Sequence, residues 1–91
     1  MSARLVVLIS GGGTNLQAIL DACREGVLPA EVVGVISNRG EAYGLERARQ
    51  AGVPAIALPK RKEVDRQAYD SALADQVAAL RPDWVVLAGW L

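Results

Sequence analysis

Four short apolar runs alternate with three stretches of helical periodicity along this chain, and the alternation constrains the fold more than any other feature of the sequence. The apolar runs are residues 4–10, 31–37, 55–58 and 84–88, and the helical stretches are residues 15–25, 42–51 and 65–81. Strict strand–helix alternation leads to a parallel sheet, because each helix carries the chain back across the sheet in a right-handed crossover. The first, second and fourth runs are almost continuously apolar, the pattern of parallel strands covered on both faces. The expected fold is therefore α/β: a Rossmann-like parallel sheet in the order 3-2-1-4 with helices on both faces. In that order the fourth strand lies beside the first. A crevice opens between them outside the carboxyl ends of the strands, where open α/β sheets bind ligands.

Local signals mark the element ends. Leu16, Ile19, Leu20 and Cys23 share one face of the first helix, Thr14 stands where it would cap that helix, and Gln17 would complete a capping box. Gly26 is placed to stop it, and Pro29 leads into the second strand. Leu45 and Ala48 face inward from the second helix, with Gly52 where a C-terminal glycine cap belongs. Residues 59–64 are polar and basic and read as a loop. The third helix carries an inward stripe of Tyr69, Ala72, Leu73, Val77 and Leu80 and ends before Pro82.

Composition bounds the function classes. A chain of 91 residues makes at most one small domain. Its hydrophobic fraction of 52% supports a packed core, and with no phenylalanine that core rests on Val, Leu, Ile and Ala. Ten acidic and ten basic residues balance, which gives no electrostatic case for nucleic acid or an anionic membrane. There is no histidine, so neither a histidine base nor a histidine-ligated zinc site comes from these residues, and no metal is expected. Cys23, the one cysteine, reads as a buried inert thiol on a helix face. The first apolar run is too short for a signal peptide or a membrane span, and a reduced, cytoplasmic setting is expected. The fourth strand would form an uncovered apolar edge, followed only by Gly89, Trp90 and Leu91. The chain thus reads as the N-terminal part of a larger domain, the other reading being a minimal domain with a frayed tail.

The candidate site is the corner between the first strand and the first helix, Ser10-Gly11-Gly12-Gly13-Thr14-Asn15-Leu16. Such a corner directs backbone N–H groups and the positive end of a helix dipole at one place, which suits an anion. A dinucleotide fingerprint would need a glycine at Leu16 and an acidic residue near Ser37 and Asn38. A nucleoside-triphosphate loop would need a Gly-Lys-Ser/Thr triplet, and no lysine lies near. A single phosphate held by the N–H groups of residues 13–15, with donors from Thr14 and Asn15, remains. The competing reading is a glycine-rich turn that joins strand to helix. The glycines are expected to supply close approach and positive φ, and three in succession cost more backbone entropy than a bare turn requires.

The run Val6-Val7-Leu8-Ile9-Ser10-Gly11-Gly12-Gly13-Thr14-Asn15-Leu16-Gln17-Ala18-Ile19 resembles the start of the phosphoribosylglycinamide formyltransferase family. So do Val35-Ile36-Ser37-Asn38, Gly44-Leu45-Glu46-Arg47-Ala48, residues 66–70, and Pro82-Asp83-Trp84-Val85-Val86-Leu87-Ala88-Gly89-Trp90. The similarity runs in register over essentially the whole chain. The family usually has Gly-Asn-Gly-Ser-Asn where this chain has Gly-Gly-Gly-Thr-Asn, a change that keeps the backbone donors and the hydroxyl.

The resemblance implies the N-terminal part of a formyltransferase fold. It implies formyl transfer from 10-formyltetrahydrofolate, a co-substrate, to the amine of glycinamide ribonucleotide in purine synthesis. It assigns the ribonucleotide 5′-phosphate to Gly13, Thr14 and Asn15. It matches Arg66 to a folate-contacting position, and Leu87, Trp90 and Leu91 to the start of the apolar wall of the folate pocket. Arg66 would otherwise be a solvated first-turn arginine, and Leu87 a core residue of the sheet. The family's catalytic Asn, His and Asp fall beyond Leu91, so no catalytic residue is assigned here and these residues alone are expected to be inactive. The alternatives are another folate-dependent formyltransferase or formyltetrahydrofolate hydrolase, or a non-catalytic nucleotide-binding module. The neutral charge argues against a tRNA-binding relative.

Overall fold

The computed structural model describes residues 3–59 and 65–90. Seven elements follow in chain order: β1 (Ala3–Ile9), α1 (Thr14–Arg24), β2 (Ala30–Ser37), α2 (Tyr43–Gln50), β3 (Ala55–Ala57), α3 (Arg66–Leu80) and β4 (Trp84–Leu87). The strands form one sheet in the order β3-β2-β1-β4, and every neighbouring pair is parallel. This is the order expected from the sequence, with each boundary within about two residues of its expected place. Most of the loop read at residues 59–64 lies outside the described residues.

The sheet divides the core in two. On one face Leu5, Val7 and Ile9 of β1 and Val32 and Val35 of β2 pack with Leu16 and Leu20 of α1 and Leu45 and Ala48 of α2. On the other, Val6, Leu8 and Ile36 pack with Leu73, Val77 and Leu80 of α3. Alternation along β1 sends successive side chains to opposite layers. In β2 the alternation breaks: Leu5 pairs with Val32 but Val6 pairs with Gly34, leaving Val33 as an extra residue in a bulge. Val32 and Val35 consequently share a face although they are three residues apart.

The amino end of the sheet is tied by Arg4. Its Nε–H donates to the Arg81 carbonyl at 2.9 Å and an Nη–H to the Leu80 carbonyl at 2.7 Å, satisfying two of the carbonyls left open at the end of α3. Its backbone N–H donates to the Asp83 carboxylate at 2.8 Å, and the Asp83 N–H donates back to the Arg4 carbonyl at 2.7 Å. Arg81 sits in the left-handed region, φ 51, where the chain turns from α3 into β4. Gly26 and Gly52 take the same region, φ 77 and φ 74, just past α1 and α2, as their positions in the sequence suggested.

Two local expectations do not hold. Thr14 does not cap α1: the cap position is Gly13, no side chain bonds the first turn, and the Gln17 side chain turns instead to Asp21 and Arg47. The capping box needs an extended Ncap residue, and Gly13 is left-handed. Nor is β4 covered on both faces. Trp84 and Leu87 are 68% and 65% exposed, because β4 is an edge strand of the described sheet. No helix among the described residues is long and apolar enough to cross a membrane.

Candidate functional site

The corner after β1 is fixed at the Ser10 N–H and at the carbonyls of Gly11, Gly12 and Gly13. Ser10, almost completely buried, donates its backbone N–H to the Gly89 carbonyl at 3.1 Å. The Gly11 carbonyl accepts from Gly44 N–H at 3.1 Å, and the Gly13 carbonyl accepts from Gln17 N–H at 2.8 Å. Between them the Gly12 carbonyl accepts from Arg47 Nε–H at 2.7 Å. Arg47 reaches this carbonyl from α2. It also donates through Nη1 to Gln17 Oε1 at 3.2 Å and lies over the Tyr43 ring, 5.0 Å from its centre. Gln17 passes the restraint on, its amide donating to Asp21 at 2.9 Å.

The three glycines differ in what the fold asks of them. Gly13 alone lies in the left-handed region, φ 78, and a Cβ there would stand 2.7 Å from the Cα of Gly44. A Cβ on Gly44 would run into Ile9 Cδ1 and press on Gly11 and Gly13. Gly13 and Gly44 are thus the two surfaces of a backbone-on-backbone contact between the corner and α2. At Gly11 and Gly12, by contrast, φ is not left-handed and an added Cβ meets nothing within 4 Å. Of the three glycines expected to allow close approach and positive φ, only Gly13 uses the positive φ. Folding needs Gly13, whereas Gly11 and Gly12 keep an open approach.

That approach leads to unused donors. The first backbone bond of α1 is the one from Gln17, so the N–H groups of residues 14–16 have no carbonyl within the helix. Among the described residues no backbone carbonyl accepts from Gly12 or Gly13 either. Thr14 and Asn15 are exposed beside these donors, and the first turn of α1 contains no acidic residue to oppose an anion. Gly13, Thr14 and Asn15 therefore lie together on the open side of the corner.

The residues matched to a folate pocket are less assembled. The Ser10–Gly89 bond sets the end of β4 beside the corner, and Trp90 packs half-buried against the cluster of Val6, Leu8 and Ile36. Leu87 is largely exposed and is not a core residue of the described sheet. Leu91 lies outside the described residues. Arg66 opens α3, exposed, with its guanidinium 4.0 Å from the Asp70 carboxylate, an ion pair too solvated to hold it in one pose. Nearby, Tyr69 is buried and its hydroxyl donates to the Leu58 carbonyl at 2.8 Å, fastening the start of α3 to the end of β3. Burial, with the Asp70 charge beside it, pushes the Tyr69 phenol above its ordinary pKa. Burial likewise raises the pKa of the Cys23 thiol, which is half-buried on α1.

Sequence reasoning did not single out Gly44 or Arg47. A glycine in the first turn of a helix, where alanine would serve better, was a sign of close approach. No sequence pattern could join Arg47 to a carbonyl 35 residues earlier.

Comparison with known proteins agrees with this architecture. The formyl transferase family matches residues 3–91. The chain is similar to phosphoribosylglycinamide formyltransferase of Schizosaccharomyces pombe, 52% identical over all of this chain and 48% of that protein. It is 48% identical to the Escherichia coli protein of the same name over 96% of this chain and 41% of the relative. Among solved structures, glycinamide ribonucleotide transformylase 1 from Symbiobacterium toebii superposes with a TM-score of 0.94 at 54% identity, covering 99% of this chain and 42% of that one. Phosphoribosylglycinamide formyltransferase from Coxiella burnetii gives 0.95 at 44% identity, covering 100% and 43%. The chain spans just under half the length of each of these relatives.

Proposed function

This chain belongs to the formyl transferase family, and we propose that it forms the N-terminal, substrate-phosphate-binding part of a phosphoribosylglycinamide formyltransferase domain. The reaction moves a formyl group from 10-formyltetrahydrofolate to the amine of glycinamide ribonucleotide, a step of purine biosynthesis. Gly13, Thr14 and Asn15 hold the 5′-phosphate of the ribonucleotide. The observation that carries this reading is the built corner: carbonyls pinned behind, outward donors in front, and glycines at 11 and 12 that the packing does not require. Backbone donors at a helix N-terminus suit one phosphate well, and here no cationic side chain is needed in direct contact.

The phosphate anchors the substrate at one end and leaves its amine free to meet the formyl donor. The end of β4, with Leu87, Trp90 and Leu91, begins the folate wall next to the corner, and Arg66 contacts the folate from the start of α3. Attack of the amine on the formyl carbon builds an oxyanion that needs donors, and a proton must leave the nitrogen. Without a histidine in these residues, the groups for those tasks come from elsewhere in the domain.

The test uses a complete formyltransferase carrying these residues. Gly13→Val removes the left-handed position and collides with Gly44. It should raise the KM for glycinamide ribonucleotide by about tenfold or more and leave that for the folate nearly unchanged. Equal effects on both would sink the phosphate assignment. Residues 1–91 alone should transfer no formyl group, and measurable turnover would overturn the division of labour proposed here.

A further inference from the structure

The aim of the corner is set from α2. In a trans peptide the C=O and the following N–H point in opposite directions. The Gly11 and Gly12 carbonyls are both held toward α2, one by Gly44 N–H and the other by Arg47 Nε–H. The N–H groups of Gly12 and Gly13 are therefore turned away from α2. The first of these bonds belongs to the backbone and is insensitive to side-chain identity. The second depends entirely on Arg47.

We infer that Arg47 is a positioning residue for phosphate binding: its guanidinium fixes the Gly12–Gly13 peptide so that Gly13 N–H faces the anion. This rests on the phosphate reading of the corner given above. Arg47 does its work from behind the loop. Its Nε and Nη1 are committed to Gly12 and Gln17, and its plane rests over Tyr43, so three contacts hold the side chain before any ligand arrives. Prior ordering matters because a glycine pair is otherwise the most easily rotated part of the chain, and a rotated Gly12–Gly13 peptide would present a carbonyl to the phosphate. Lysine keeps the charge but replaces two nitrogens held in one rigid plane, Nε on Gly12 and Nη1 on Gln17, by a single rotatable ammonium that does not fix the Gly12 carbonyl in the same way.

The experiment titrates inorganic phosphate into the purified protein and follows the backbone amide resonances of residues 12–15. The wild-type protein should show saturable shifts there. Arg47→Met and Arg47→Lys should each weaken phosphate by about tenfold, the scale of one charge-assisted hydrogen bond that orients a donor. In Arg47→Lys the Gly13 amide should lose its phosphate-induced shift while Thr14 and Asn15 keep theirs, a signature that general loosening would not produce. Should Arg47→Met fail to fold, Arg47→Lys decides, since it retains the charge and most of the aliphatic stem. Wild-type affinity in Arg47→Lys overturns the inference and leaves the phosphate reading standing. Equal loss of shift at Gly13, Thr14 and Asn15 overturns it as well. Absence of shifts in the wild-type protein removes the phosphate reading itself, and the role of Arg47 with it.

Discussion

The two faces of the sheet are built to different degrees of closure. On the α1–α2 face, Val7, Ile9, Leu16, Val35, Leu45 and Ala48 are fully buried, and two helices cover the strands. On the α3 face a single helix covers the sheet; Val6 and Ile36 of the strands are fully buried, but Tyr69 is the one buried residue of α3, and its Leu73, Val77 and Leu80 are half-exposed. A hollow of about 470 Å³ lies there, bounded by Leu8, Leu73, Val77 and Pro82. The difference separates two tasks. The glycine corner proposed to hold a phosphate draws most of its support, from Gly44, Arg47 and Gln17, on the closed face. The residues matched to the folate, Arg66, Leu87 and Trp90, belong to the open side and are only loosely arranged by what is described here.

Substitutions at matched positions on the two faces can break this contrast. The largest effect is expected at the closed face's tightest point: Gly44→Val drives a branched side chain into Ile9 and the backbone of Gly11 and Gly13. It should cost about 3 kcal/mol or more in a denaturant titration. Next, Leu45→Ala and Leu73→Ala delete the same atoms on opposite faces. Leu45 is fully buried and its loss should cost about 2–4 kcal/mol, whereas half-exposed Leu73 should cost about 1 kcal/mol. Equal losses would mean that the two layers are equally closed. The smallest effect is expected at Leu87→Ser, within about 0.5 kcal/mol, because the side chain is already in solvent. A large loss there would show that β4 is covered in the protein under test.

The same contrast describes how far the sequence could be read. Element order, strand order and the inward residues of α1 and α2 were legible because apolar periodicity is strong where burial is complete, as at Leu16, Leu20, Leu45 and Ala48. The position of the glycine corner was legible because strand, glycines and helix start are adjacent in the chain. What holds the corner was not. Gly44 and Arg47 act across 33 and 35 residues, and their effect depends on a backbone contact and a carbonyl that composition does not reveal. The capping box was misread for a related reason: its spacing was present, but contact with Gly44 gave the cap position to a left-handed glycine. At β4 an apolar run implied cover on both faces, and apolar content alone does not say what supplies that cover.

The bulge in β2 also bears on how this strand tolerates changes of length. Val33 and Gly34 both belong to the α3 side, where Leu80 rests directly over Gly34, while Val32 and Val35 belong to the other. Deleting Val33 would join Val32 to Gly34 in ordinary alternation and leave every remaining side chain on its present face. Deleting Val35 instead would swap Ile36 and Ser37 between layers, sending a hydroxyl into one core and an isoleucine against α2. The bulge is thus the point at which β2 can lose a residue without exchanging the two layers.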